Sequence, residues 1–172
     1  MKPKNKYKIE FAGLKIGDHN FNFNASNEFF DRFSFSDFND VSVDIDIDLI
    51  KKSTLLELNF DLSGSVNVNC DLTNEPFDLL INHKASLVVK FGLEYNDEDD
   101  EILVLPHGEH KLFVDQYIFE MIVLSLPPKR IHPGVEDGSL KSEILDILDE
   151  LKPKENSNLA DPRWEQLKNL KK

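Results

Sequence analysis

The chain has 172 residues, of which 40% are hydrophobic, and this length suits one compact domain because domains commonly contain about 100 to 200 residues. Its 32 acidic and 20 basic residues give a formal net charge of −12, which repels nucleic-acid phosphates unless the basic residues form a patch. A single cysteine excludes an internal disulfide framework and a zinc site made from several cysteines of one chain.

The basic residues gather at the two ends of the chain. Between Lys15 and Lys51 the one formal positive charge is Arg32, so the middle of the chain is a poor candidate for a nucleic-acid surface. The terminal bases either mark a patch close to RNA or are solvated chain ends. They are Lys2, Lys4, Lys6, Lys8, Lys152, Lys154, Arg163, Lys168, Lys171 and Lys172.

The N-terminal segment predicts two strands and a phenylalanine-rich stretch. Alternating apolar residues place a first strand at residues 7–11 and begin a second at Phe21 and Phe23. Seven phenylalanines fall between Phe21 and Phe38, which raises the possibility of base stacking. Their charged neighbours are mostly acidic, whereas stacking platforms lie in basic grooves. Packing in the core is therefore the favoured interpretation.

Residues 41–48 alternate most regularly between apolar and polar positions. Val41, Val43, Ile45 and Ile47 alternate with Ser42, Asp44, Asp46 and Asp48, which predicts a strand with one buried face. The three aspartates could hold a hard cation, but the glycine turn and terminal bidentate acid of a calcium loop are missing. We therefore expect a solvated row of carboxylates.

Residues 62–91 predict the centre of the sheet. Val66, Val68, Cys70 and Leu72 point to one side of a strand, so Cys70 should be buried. Residues 73–76 have turn chemistry, and residues 79–91 resume as a partner strand. Residues 55–62 form another predicted strand that leads into this hairpin.

Two polar segments follow the central hairpin. Residues 95–101, with the sequence YNDEDDE, predict an acidic loop that either solubilises the protein or contacts a basic partner. His107 and His110 flank Gly108 and Glu109, and such a pair can in principle bind zinc. The surrounding turn residues place them on a loop without further ligands nearby in sequence, so we expect no metal site.

Helical periodicity begins near Val114. Asp115 is a candidate N-cap for a helix that Pro127 and Pro128 end, although residues 122–124 keep a strand open as an alternative. A second helix is predicted from an apolar stripe before Pro153. This stripe consists of Leu140, Ile144, Leu145, Ile147, Leu148 and Leu151.

The last segment predicts a short helix over residues 161–172. Asp161 is placed as its N-cap and Pro162 as its first helical residue, while lysines lie at its C-terminal end. Trp164, Leu167 and Leu170 fall on one side. So short a helix needs a surface to pack on, and Trp164 either anchors it on the body of the protein or faces a partner.

These elements together predict an α+β fold with an antiparallel sheet, open or barrel-like, and two or three helices in the C-terminal half. We divide the chain into a single domain over residues 1–152, a linker over residues 153–160 and the terminal helix over residues 161–172. No apolar run reaches the roughly 18 residues that a membrane helix needs, so we expect a cytoplasmic protein without membrane contacts.

Three blocks of the sequence resemble the YceD family of large ribosomal RNA subunit accumulation proteins. They are the terminal DPRW-x-x-L-x-x-L, the segment VDQYIFEMIVLSLPPKRIHP, and a strand with the pattern G-x-x-x-x-x-C. Gly64 and Cys70 fall on the family's central motif. Asp161, Pro162, Arg163, Trp164 and Leu167 fall on its terminal motif, and the resemblance is weak before about residue 40.

The central motif departs from the family pattern at one position. Many members have C-x-x-C where this chain has Cys70 and Thr73, so a hydroxyl replaces the second thiol. Threonine cannot supply a thiolate for zinc or a disulfide. We therefore interpret this block as a structural turn without a metal or redox role.

The resemblance implies a cytosolic bacterial protein required for large-subunit (23S) rRNA to accumulate. We found no phosphate-binding loop, nucleophile elbow or convincing Cys–His pair in the sequence, so we expect no catalytic residues, cofactor or metal. The expected function is assembly of the large subunit by binding a ribosomal protein or an rRNA intermediate. The alternatives are a metal-dependent rRNA-processing nuclease and an acidic chaperone for a basic ribosomal protein.

Overall fold

The computed structural model describes residues 6–152, which adopt the predicted α+β fold. The N-terminal elements are β1 (Lys8–Ile9), β2 (Gly17–Ser26), α1 (Asn27–Asp31) and β3 (Asp40–Lys51). The central strands are β4 (Leu55–Asn69), β5 (Pro76–Gly92), β6 (Asn96–Asp99), β7 (Ile102–Pro106) and β8 (Leu112–Phe113). The helices α2 (Asp115–Ser125), α3 (Pro133–Glu136) and α4 (Glu143–Leu151) follow.

The main sheet has six strands in the order β2-β3-β4-β5-β7-β6. All neighbours are antiparallel except β5 and β7, which are parallel. The predicted central hairpin is confirmed: β4 and β5 pair in one continuous register from Leu55↔Lys90 to Asn69↔Pro76. The sheet is open, with β2 and β6 at its two edges, and does not close into a barrel.

The inner face of the sheet forms the hydrophobic core. The alternation predicted for residues 41–48 is confirmed, since Val41, Val43, Ile45 and Ile47 are all buried. On β4, Leu56, Leu58, Phe60 and Leu62 continue this buried surface. Period-two alternation places these side chains on one side of the sheet, where their burial supplies the main driving force for folding.

The outer face of the sheet is polar and exposed. The three aspartates of β3 lie there, as predicted, and each accepts a hydrogen bond from an asparagine directly opposite on β2. The pairs are Asn20–Asp48, Asn22–Asp46 and Asn24–Asp44. Such cross-strand pairs stabilise the register without burying a carboxylate.

The phenylalanine-rich segment packs inside the protein, as favoured from the sequence. Phe29 and Phe30 of α1 are buried, and the ring of Phe33 stacks on that of Phe119 in α2 at 4.4 Å. The Arg32 guanidinium also lies 2.9 Å from the Asp115 carboxylate at the start of α2. These contacts fasten α1 to α2 on the core side of the sheet.

Three local predictions need correction. The first strand is reduced to β1, which pairs with β8 in a separate two-stranded sheet. The segment predicted as an acidic loop contains β6, because main-chain pairing with β7 does not depend on exposed side chains. In α2, Val114 occupies the N-cap position and Asp115 is the first helical residue.

The C-terminal apolar stripe is helical from Glu143 onward, so Leu140 precedes α4. No side chain of α4 is buried by the rest of residues 6–152, and Ile147 and Leu151 are 55% and 73% exposed. The predicted linker over residues 153–160 and helix over residues 161–172 lie outside the described part of the chain.

We predict that Gly64→Ala destabilises the protein. A Cβ at Gly64 would overlap the Ser42 carbonyl oxygen and lie 2.7 Å from the Val43 Cα, both in the main chain of β3. Overpacking of this kind typically costs about 1 to 3 kcal/mol of the free energy of unfolding. Denaturant titration measures this cost.

Gly13→Ala is the matched control, since a Cβ there would meet nothing within 4 Å. It should change the free energy of unfolding by no more than about 0.5 kcal/mol. Equal stability of the two variants would contradict the close approach of β3 and β4.

Candidate functional site

The turn after β4 contains Cys70 and closes through main-chain hydrogen bonds. The Cys70 N–H donates to the Glu75 carbonyl and the Asn74 N–H donates to the Cys70 carbonyl, each at 2.8 Å. Asn74 has a φ of +60°, which asparagine tolerates better than most residues. The predicted turn at residues 73–76 is therefore confirmed, although it begins at Cys70.

Cys70 and Thr73 are both buried in this turn and contact each other. Burial raises the pKa of the Cys70 thiol, but hydrogen bonds from the Thr73 hydroxyl and from three backbone amides outweigh it. The net pKa lies below its ordinary value. One of these amides is that of His132, whose nitrogen lies 3.3 Å from the Cys70 Sγ.

The turn holds the segment that follows α2. The Asp71 N–H donates to the Arg130 carbonyl at 2.8 Å, and the Arg130 N–H donates back to the Asp71 carboxylate at 2.6 Å. The His132 ring packs edge-on against Phe77, with 5.4 Å between centroids. Because α3 and α4 come next in the chain, these hydrogen bonds between Asp71 and Arg130 fix the direction in which the following residues leave the sheet.

The arrangement around Cys70 is suited to holding structure. His132 meets the thiol through its main-chain amide, while its ring Nδ1 accepts a hydrogen bond from the Gly134 N–H at 2.9 Å. The imidazole is therefore not positioned as a base for the thiol. Within residues 6–152, no three His, Cys, Asp or Glu side chains come together in a group able to hold a metal ion.

The structure assigns different places to the residues of the two sequence motifs. Gly64 lies in β4 at the close approach to β3, and Cys70 and Thr73 lie together in the turn. The terminal-motif residues fall outside the described residues. They are Asp161, Pro162, Arg163, Trp164 and Leu167.

Sequence reasoning missed the partners of this turn. Asp71 and Arg130 are 59 positions apart, and Cys70 and His132 are 62 apart. No periodicity or local motif connects residues at such separations. The one available signal was that both segments belong to blocks on which the family resemblance rests.

We predict that Thr73→Val lowers the free energy of unfolding by about 1 kcal/mol, because it removes the buried hydroxyl that hydrogen-bonds Cys70 and accepts from the Glu75 N–H. The Cys70 pKa should rise, since the lost donor favours the thiolate. Denaturant titration and the pH dependence of thiolate absorbance measure the two effects. Thr54→Val, at an exposed position, should change neither, and equal effects at both positions would contradict this role of Thr73.

Comparison with known proteins places the chain in a family. The family model described as "Large ribosomal RNA subunit accumulation protein YceD" matches residues 58–171, more than half of the chain. The searches of curated proteins and of solved structures found no match to this chain. Among the described residues, no helix is long and apolar enough to cross a membrane. The match spans β4 to α4, including the Cys70 turn, and the chain belongs to the YceD family of large ribosomal RNA subunit accumulation proteins.

Proposed function

We propose that this protein is a non-enzymatic, cytoplasmic factor that supports accumulation of large-subunit (23S) rRNA and assembly of the large ribosomal subunit. It acts by binding a ribosomal protein or an rRNA intermediate. The observation that carries this proposal is the family match over residues 58–171, whose description names rRNA accumulation. Protection of an assembly intermediate explains accumulation without a reaction, since unassembled rRNA is exposed to degradation.

The spacing and pairing of the exposed carboxylates on β3 support a binding role over a nuclease role. A two-metal nuclease needs acids that converge on one phosphodiester. The aspartates of β3 instead lie in a row on the outer face, each bonded to an asparagine of β2. Each of these carboxylates is paired separately. Within residues 6–152, no three His, Cys, Asp or Glu side chains form a group able to hold a metal ion.

The surface of α4 and the sequence of the terminal motif support binding to a partner. The side chains of α4 are unburied within the described residues, and its exposed face includes Ile144, Ile147 and Leu151. The matched region also includes the terminal motif around Trp164. We propose that this motif contacts the ribosomal partner, as its sequence pattern of a short helix with an apolar side suggests.

Depletion of the protein should lower large-subunit rRNA and mature large particles relative to small ones. Loss of a stabilising factor leaves the large-subunit intermediate unprotected, while the small subunit assembles without it. Sucrose-gradient profiles and rRNA quantification after depletion measure the ratio. A normal ratio would refute the proposed role.

A cleavage assay with the purified protein tests the enzymatic alternative. Purified protein should leave rRNA intact with magnesium or manganese. Metal-dependent cleavage that is abolished by Asp44→Asn, Asp46→Asn or Asp48→Asn would favour a nuclease. Cleavage that persists in all three variants and separates from the protein on further purification would indicate a contaminating enzyme and leave the binding role in place.

Binding to generic RNA should be weak and should fall steeply with salt. The net charge of −12 repels phosphate, and the terminal lysine clusters are the groups able to release counterions. Gel shifts with unrelated RNA at increasing salt, with and without residues 1–8, measure their contribution. Tight, salt-resistant binding would contradict this view and favour a direct role on RNA.

A further inference from the structure

One long strand of the sheet is only partly covered on one side. β5 pairs with β4 along residues 76–90, but on its opposite side it pairs with β7 only from Val88 to Gly92. Among residues 6–152, no strand pairs with residues 76–87 of β5 on that side. Although β5 lies between β4 and β7 in the strand order, its residues 76–87 therefore form an exposed sheet edge within the described residues. This edge ends where β7 begins.

The direction of the main-chain groups on this edge follows from one hydrogen bond. The Val88 N–H donates to the Glu101 carbonyl at 2.8 Å, so the main-chain groups of Val88 point toward the β7 side. Residues two apart in a strand point their N–H and C=O groups to the same side. Ser86 and Lys84 therefore present theirs to the space before the start of β7. Exposed edges of this kind accept an added strand.

A groove of about 680 Å³ lies at this edge, between β5, the β6 segment and α2. Residues 83–86 of β5 form one wall. The half-buried Tyr117 and Met121 of α2 give it an apolar side, and the exposed Tyr95 lies in its lining opposite. The groove therefore offers both main-chain hydrogen-bonding groups and apolar contact.

The groove is strongly acidic. Six of its lining residues carry carboxylates, whereas its one lysine, Lys84, is already paired with Asp61 at 2.5 Å. The acids are Asp97, Asp99, Asp100, Glu101, Asp115 and Glu120. Asp115 is paired with Arg32, and the other five have no basic partner among the ion pairs of the described residues.

The groove also affects a tyrosine in its lining. Burial, and then the proximity of Tyr95, Asp97 and Glu120, raises the pKa of Tyr117 to about 12. The hydroxyl thus stays neutral and sits in a negative potential. Such a potential repels phosphate and attracts guanidinium and ammonium groups, which can also lie over the tyrosine rings.

We propose that this groove binds an extended, lysine- and arginine-rich protein segment, which adds to the free edge of β5 as a strand. The segment's main chain pairs with that of Lys84 and Ser86, its basic side chains meet the five carboxylates that have no basic partner among the ion pairs of the described residues, and its apolar side chains face Tyr117 and Met121. This inference rests on the proposed function in that it specifies a basic protein segment, and not RNA, as the ribosomal component held.

The probe is a synthetic peptide of alternating arginine and valine, eight residues long and blocked at both ends. Such a peptide can add as a strand with its charges on one side. Two control peptides keep one property each. An arginine–proline peptide keeps the charge but favours the polyproline II conformation over a β-strand, and a glutamate–valine peptide keeps the strand propensity with opposite charge. Titration calorimetry with the full chain should detect binding of the first peptide alone.

A charge variant of the full chain tests the location of binding. Asp97→Asn, Asp99→Asn and Glu101→Gln together should weaken binding of the arginine–valine peptide about tenfold, since three exposed charge pairs are lost. The matched control neutralises Asp44, Asp46 and Asp48 to asparagine on the outer face of the sheet. It removes the same charge and should change the affinity less than about twofold.

Ser86→Pro tests the strand addition directly. It removes an N–H that faces the groove and none that pairs with β4, so the sheet should persist while peptide binding is lost. Where this variant fails to fold, the charge variants and the proline peptide still test the proposal. Equal binding of the proline peptide, or equal loss in both charge variants, would overturn it, as would tighter binding of single-stranded RNA in the groove.

These measurements separate the groove from the proposed function. Failure of peptide binding with a depletion phenotype intact would refute the groove and leave the assembly role in place. A normal particle ratio after depletion, with specific peptide binding, would refute the assembly role and leave the groove as a basic-peptide site. Restoration of the particle ratio by the outer-face variant, but not by the groove variant, would link the two.

Discussion

The six-stranded sheet has one apolar face that must be covered, and the packing of the helices and of the phenylalanine-rich segment follows from this requirement. Apolar and polar side chains alternate along β3 and β4, so the apolar ones all lie on one face, and their burial away from water favours folding. Helix α2 covers part of this face, and the phenylalanines of α1 and the following loop extend the cover, with Phe33 stacked on Phe119. The opposite face stays polar because its aspartates and asparagines pair across strands.

Packing in the core also joins the region matched by the family model, residues 58–171, to the residues that precede it. The match begins at residue 58, yet α2 packs against phenylalanines that precede it, and Arg32 pairs with Asp115 at the start of α2. The N-terminal residues thus complete the core of a domain whose family features lie later in the chain. Within the matched region, the Cys70 turn binds residues 130–132 and fixes where the chain departs toward α3 and α4.

Coverage of the inner face leaves other surfaces open, and these suit a binding protein. The parallel pairing of β7 reaches only the last part of β5, so among residues 6–152 no strand covers the rest of that edge, which lies beside an acidic groove. Helix α4 presents apolar side chains that residues 6–152 do not bury. The proposed binding of a basic protein segment rests on the acidic groove, since a negative potential attracts basic groups and repels phosphate. This agrees with a factor that stabilises an assembly intermediate.

Features that depend on local residue patterns were predictable from the sequence. Alternation identified β3, β4 and β5, the buried Cys70 and the solvated aspartates, and the motif blocks indicated the family before any comparison. Contacts between residues far apart in the chain were visible in the folded structure alone. They are the pairing of β1 with β8, the strand at β6, the hydrogen bonds between Asp71 and Arg130 and, among residues 6–152, the part of the β5 edge that no strand covers. A main-chain N–H or C=O group can pair with any segment brought alongside it, whatever the side chains, so local sequence does not identify the partner.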